Sequence, residues 1–183
     1  MNGVNMNDID QHKQIARHLA ARALVALRAN FRVERIAVVD AGEQSSGITC
    51  DWTKAREPYR NDMKLIQRGF AFVYVGTIVD QKQTEPLSES ISKQLNSDMT
   101  SAQEAREAAV QWGLVSSLRD TNPFAHVGYK LASRFIRVDG VAIDHLADYL
   151  LAERTLDEQQ LLAWFERHAT PLSLEELEQS ITY

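Results

Sequence analysis

Residues 15–39 read IARHLAARALVALRANFRVERIAVV, a segment whose hydrophobic spacing changes from that of a helix to that of a strand. Its apolar residues at helical spacing are Ile15, Leu19, Leu24, Leu27 and Phe31. This stripe predicts a helix over Asp8–Asn30, and the β-branched residues of Arg35–Val39 predict a strand after it. A long amphipathic helix followed by a strand indicates a mixed α and β fold.

The middle of the chain predicts further elements after a long irregular segment. Residues 40–62 are rich in glycine, serine and polar residues and contain a proline, so we expect a loop there. The apolar residues Phe70–Val79 predict a buried strand. A capping box that begins at Ser101 predicts a helix, which Asn122-Pro123 should end.

The region from 126 to 143 predicts strands joined by a tight turn. His126–Leu131 and Arg134–Val138 have the composition of strands, and Asp139-Gly140 precedes the short apolar run Val141–Ile143. Both turn residues tolerate the positive φ that a type I′ turn requires, so this is the best hairpin signal in the chain.

The C-terminal third predicts helices. Asp144 is a candidate N-cap, and capping boxes begin at Thr155 and Ser173. The whole order of elements predicts one α+β domain over residues 1–183, with a small, mostly antiparallel sheet and helices packed against it. Residues 139–183 form its acidic, helical subregion.

Charge is distributed unevenly along the chain. The net charge is −5, yet residues 1–35 carry six Lys/Arg against three Asp/Glu, whereas residues 139–183 carry two against ten. Such asymmetry indicates either a charged partner surface or two ends that attract each other in the fold. The acidic balance disfavours nonspecific nucleic-acid binding, so a nucleic-acid partner is not expected.

Several features of the sequence indicate a soluble cytoplasmic protein. The longest apolar run, Phe70–Val75, is far shorter than the ~20 residues that span a bilayer. The N-terminal segment lacks the apolar core of a secretory signal. Cys50 is the only cysteine, which excludes an internal disulfide and fits a reducing compartment.

Cys50, His126 and Asp139 are the residues that a cysteine hydrolase would use as nucleophile, base and orienting group. The stretch His126-Val127-Gly128-Tyr129 resembles the start of the histidine strand in the NlpC/P60 family, and the order of residues is similar to that of papain-like cysteine peptidases. The resemblance implies an amidase or peptidase. This is the first alternative function.

A second alternative is binding or annealing of single-stranded DNA. The alanine-rich amphipathic segment Glu104–Leu118, placed after a predicted strand, resembles the helix of Rad52-type strand-annealing proteins. Single-strand binding also requires a basic groove with stacking aromatic residues, and the density of Lys and Arg here is low.

The leading prediction is a non-catalytic binding or regulatory protein that acts through protein–protein contacts. Trp52 and Tyr59 in the long loop, with Trp164 and Phe165 on the acidic helical side, are the candidate partner-binding residues. The partner is expected to be another protein or a second copy of the chain. No cofactor or metal site is expected, because the histidines lack ligand spacing.

Overall fold

The computed structural model describes residues 6–38, 46–52, 62–81 and 89–179. In chain order its elements are α1 (Met6–Arg28), β1 (Arg32–Ala37), β2 (Gly47–Asp51), α2 (Asp62–Gln81), α3 (Glu89–Gln111), a 3-10 turn (Leu118–Thr121), α4 (Asn122–Glu153), β3 (Thr155–Asp157), α5 (Glu158–His168) and α6 (Leu174–Gln179). None of these helices combines the length and the apolar character that a bilayer-spanning segment requires.

The three strands form one antiparallel sheet in the order β2-β1-β3. Ile36 of the central strand lies opposite Ile48 on one side and Leu156 on the other. Ile36 and Leu156 are fully buried, because helices cover this face of the sheet. The α+β class and the small antiparallel sheet with packed helices are therefore confirmed.

Helices α1, α2 and α4 form the centre of the core, and the pairing of α2 with α4 is the most extensive. Close approach of these helices depends on small residues. Alanines of α1 such as Ala16 and Ala20 are fully buried. Gly128 of α4 lies directly against Phe70 and Ala71 of α2.

The strand predicted over Phe70–Val79 is wrong, because these residues belong to α2. Most side chains from Leu65 to Asp80 are buried. A helix covered on several sides has no polar face, and its apolar run then looks like a buried strand in the sequence.

The strands predicted over His126–Leu131 and Arg134–Val138, and the turn at Asp139-Gly140, are also wrong. Residues 122–153 form one helix, α4, so the helix start predicted at Asp144 lies in its interior. Gly140 does not have a positive φ. Pro123 occupies the first turn of α4, where a backbone N–H would have no intrahelical acceptor, so the lack of an N–H costs nothing there. The proline therefore marks the start of α4 and not the end of the previous helix.

The predicted limits of the preceding helix are displaced as well. α3 begins at Glu89, well before Ser101, and ends at Gln111 instead of at Asn122. Gly113 has φ of 71°, and the N–H groups of Gly113 and Leu114 each bond back to a carbonyl of the helix at 3.0 Å. This is a Schellman motif, which ends a helix through a glycine.

Both short helices of the C-terminal third are present. α5 begins with a capping box at Asp157, not at Thr155, because Thr155 begins β3. The capping box at Ser173 is confirmed: its hydroxyl accepts from the Glu176 N–H at 3.2 Å, and its own N–H donates to the Glu176 carboxylate at 2.7 Å.

Candidate protein-binding groove

The basic N-terminal and acidic C-terminal parts of the chain contact each other. Arginine–carboxylate pairs between the described residues connect them, among them Arg17–Asp144, Arg28–Asp139 and Arg32–Glu158. The first and third are partly exposed, so each adds little to stability. Some of the basic and acidic residues therefore neutralise each other within the molecule. The charge asymmetry of the sequence is for this reason a weaker argument for a charged partner.

Arg28 joins α1 to α4 and to the segment before α6. Its Nε and Nη2 donate to the two carboxylate oxygens of Asp139 at 2.5 and 2.7 Å. Its Nη1 and Nη2 also donate to the carbonyl oxygens of Leu172 and Thr170, both at 2.7 Å. Both charged side chains are buried, and the bidentate pair joins α1 to α4. The bonds from Arg28 to the Thr170 and Leu172 carbonyls hold the segment that leads into α6.

The structure does not bring the predicted hydrolase residues into a triad. His126 is exposed near the start of α4. Asp139 lies more than three turns further along the same helix, roughly 20 Å away along its axis. Because Asp139 is bonded to Arg28, its carboxylate is not available to orient His126.

Cys50 lies on β2 opposite Val33 and has the wrong electrostatic surroundings for a nucleophile. Burial raises the pKa of its thiol to about 12; nearby Arg22 opposes this shift, whereas Asp51 adds to it. The thiol is therefore protonated at neutral pH, whereas a reactive cysteine needs a lowered pKa.

Trp52 is the one of the two aromatic candidates in the long loop that the structure describes. Trp52 is only 4% exposed, so little of this candidate partner-binding side chain is accessible to a partner. Its indole lies against Gly69 of α2, and its centroid is 6.4 Å from that of Trp112. Tyr59 lies outside the described residues.

Trp164 and Phe165 point apart on α5, as expected for adjacent helical residues, but both have intramolecular contacts. Trp164 is buried, and its ring centroid is 4.7 Å from that of His168. Phe165 is half-buried, and the Arg28 guanidinium lies 5.5 Å from its ring centroid. Only part of Phe165 therefore remains for a partner.

The segment compared with strand-annealing proteins, Glu104–Leu118, has one basic residue, Arg106. Its guanidinium donates to Thr121 Oγ1 at 2.6 Å and to Asn122 Oδ1 at 3.1 Å. It also lies 5.7 Å from the ring centroid of Phe70. This cation is thus engaged inside the protein, whereas single-strand binding requires a row of cations along a groove.

A buried polar pair connects α1 and α2. His18 Nδ1 lies 2.8 Å from Asp80 Oδ2, and the absence of a side chain at Gly76 leaves room for the His18 ring. In the described part of the chain, no group of three or more His, Cys, Asp or Glu side chains is arranged to hold a metal ion. We interpret the pair as a contact that sets the packing of the two helices.

α6 lies in a groove between α2 and α4. We call this surface the docking groove; its residues are Lys64, Gln67 and Arg68 of α2, and Val127 and Leu131 of α4. Leu177 of α6 is fully buried, and Leu174 is half-buried against the core. Leucines three residues apart therefore form the inward face of α6.

A carboxylate of α6 pairs with the basic wall of the docking groove. Glu178 accepts from Lys64 Nζ at 3.0 Å and from Arg68 Nε at 2.7 Å. Burial alone would raise the pKa of Glu178, but the hydrogen bonds from Arg68 and Lys64 outweigh it and lower that pKa. The glutamate is therefore ionised and paired at neutral pH.

α6 does not fill the docking groove. A cleft of about 220 Å³ remains beside it, lined by Lys64, Gln67, Val127, Leu131, Glu175, Glu178 and Gln179. Pockets for drug-sized ligands begin at roughly 300 Å³. The cleft is therefore better suited to side chains of a protein segment than to a small molecule.

Sequence reasoning identified the capping box and the leucines of α6 but did not predict their receptor. The usable signal was Lys64 and Arg68, four residues apart and so on one face of a helix, combined with an acidic leucine-rich segment near the C-terminus. Because the region of α2 was interpreted in part as a strand, that shared face was not recognised.

A comparison of the chain with protein-family models and with curated proteins finds no match.

Proposed function

We propose that this protein is a non-catalytic protein-binding domain, and that the docking groove receives a segment of its partner. The single observation that carries the proposal is the cleft of about 220 Å³ left beside α6, with Val127 and Leu131 as an apolar floor and with Lys64 among its charged lining residues. Interfaces of this kind combine a desolvated apolar centre with charged groups that set orientation.

The chemistry of the candidate catalytic residues supports a binding function over hydrolysis. The Cys50 thiol is protonated because burial raises its pKa to about 12, and Asp139 is bonded to Arg28. The proposal retains the cytoplasmic location expected from a single free cysteine.

Site-specific photocross-linking tests the proposal in the cell, where the partner is present. Lys64, which is 47% exposed on the groove wall, is replaced by p-benzoylphenylalanine. The matched control carries the same replacement at Lys13, an exposed position on α1. Both proteins are produced in their cell of origin, irradiated and purified under denaturing conditions.

We expect a discrete cross-linked species from position 64 and its absence from position 13. A covalent dimer would identify a second copy of the chain as the partner. The same set of products from both positions, or none from position 64, would overturn the proposal.

A further inference from the structure

We propose that the docking groove recognises an acidic amphipathic helix of a partner protein, and that α6 is an internal competitor that occupies the groove until this helix displaces it. The inference rests on the proposed function and adds the chemistry of the partner. It follows from the contacts that α6 itself makes.

α6 shows which features the groove selects. Leu177 is fully buried, and the adjacent Glu178 reaches both Lys64 and Arg68 at 3.0 and 2.7 Å. A ligand helix therefore needs a leucine followed directly by a carboxylate, with a further apolar residue one turn earlier, where α6 has Leu174. An apolar helix face laid into a groove is a common mode of peptide recognition.

A cleft remains beside α6. The part of this helix that the structure describes, Leu174–Gln179, would be marginal in isolation, because isolated helices below ~12–15 residues are marginal in water. It therefore depends on its capping box at Ser173, on Leu177 and on the Glu178 ion pairs. A partner helix of the same pattern could also fill the cleft of about 220 Å³ beside α6.

The test uses a fluorescent peptide of residues 170–183 as the partner-like probe, added to the full-length protein. Binding is measured by fluorescence anisotropy. In the wild type, α6 in cis should mask the groove and weaken apparent binding. In Glu178→Lys, the new cation is repelled by Lys64 and Arg68, so the groove opens and the wild-type peptide should bind at least about tenfold more tightly.

A charge swap supplies the matched control. Adding Arg68→Glu to Glu178→Lys restores an ion pair of reversed polarity in cis and places a carboxylate against the peptide's glutamate. Peptide binding should then return to the weak wild-type level. A peptide carrying Leu177→Asp should not bind any of the proteins, because its apolar anchor is lost.

Circular dichroism first establishes that the core helices are intact in each variant, and Leu177→Asp in the full chain is a second way to open the groove. Equal peptide binding by wild type and both opened variants, or binding that survives Leu177→Asp in the peptide, would refute the inference. If a partner still cross-links at position 64, the protein-binding function stands and only the helix-recognition chemistry fails.

Discussion

Two glycine-to-alanine substitutions in α4 should have opposite effects on stability. At Gly128, an added Cβ would collide with Cβ of Phe70 and lie 2.9 Å from the Gln67 carbonyl oxygen and 3.0 Å from the Ala71 nitrogen. At Gly140, an added Cβ meets nothing within 4 Å. The two positions share one helix and one change of side chain, so they differ mainly in their neighbours.

The magnitudes follow from these distances. Alanine is favoured over glycine in a helix by about 1 kcal/mol, and Gly140→Ala should gain roughly this amount. At Gly128, ordinary contact begins near 3.4 Å, so the Gln67 oxygen alone requires α2 and α4 to separate by about 0.5 Å, and the nearer Phe70 Cβ requires more. Overpacking costs about 1–3 kcal/mol, and backbone neighbours cannot rotate away, so Gly128→Ala should lose about 2 kcal/mol or more net.

Urea denaturation followed by circular dichroism at 222 nm measures both free energies of unfolding. The expected separation between the two variants is about 3 kcal/mol. Equal stability of the two variants would refute the close α2–α4 packing. A loss of stability in Gly140→Ala would contradict the helical conformation of residue 140, since only a positive φ penalises alanine there.

The further predictions concern three positions, Cys50, Asp139 and Gly76. Burial raises the pKa of the Cys50 thiol from 9.0 to about 12, so as the pH rises the thiol loses its proton in the unfolded chain before it does so in the folded protein. The free energy of unfolding of the wild type should therefore fall between about pH 9 and pH 12, relative to that of Cys50→Ala. Iodoacetamide should also modify the native thiol more slowly than free cysteine at neutral pH. Asp139→Asn should cost about 3–5 kcal/mol, because it leaves the Arg28 charge buried without its partner, and adding Arg28→Met should recover part of that loss. Gly76→Ala should cost about 1–3 kcal/mol, because its Cβ would overlap the His18 ring.

Each of these predictions has a contradicting result. Rapid alkylation of Cys50 that disappears in His126→Ala would favour the hydrolase. Additive losses in the Asp139 and Arg28 variants would show that the two side chains do not act as a pair. An unchanged melting curve for Gly76→Ala would mean that His18 does not pack against α2.

Part of the fold could be predicted from local patterns alone. The stripe of α1, the composition of β1 and the capping box at Ser173 each depend on residues within one or two turns of each other, and all three elements are present. The polar positions of α1 keep its stripe visible although they are buried, because side chains such as His18 and Arg28 have buried partners in Asp80 and Asp139. The cap of α6 is local and needs no distant partner.

The candidate site could be predicted only in pieces. The leucines and carboxylates of α6 were visible in the sequence, but their receptor is assembled from α2 and α4, which lie far from α6 along the chain. The place of Trp52 in a predicted loop made it a candidate partner-binding residue. In the structure its indole is buried, because Gly69 of a helix further along the chain leaves room for it.

The amino-acid sequence alone was sufficient for the class of the fold, for α1 with its apolar stripe and for the cap of α6, since those depend on local chemistry. Tertiary packing settled the rest. Phe70–Val79 lie in a helix that is buried on several sides, so no polar face reveals its period in the sequence. Residues 126–143 lie in a helix that keeps an exposed face, with His126 and Arg137 on it, but the Asp139-Gly140 pair imitates a hairpin turn. The Asp139 side chain of α4 can be buried because Arg28 of another helix compensates its charge. Arg28 is distant along the chain, so no local sequence pattern indicates this partner.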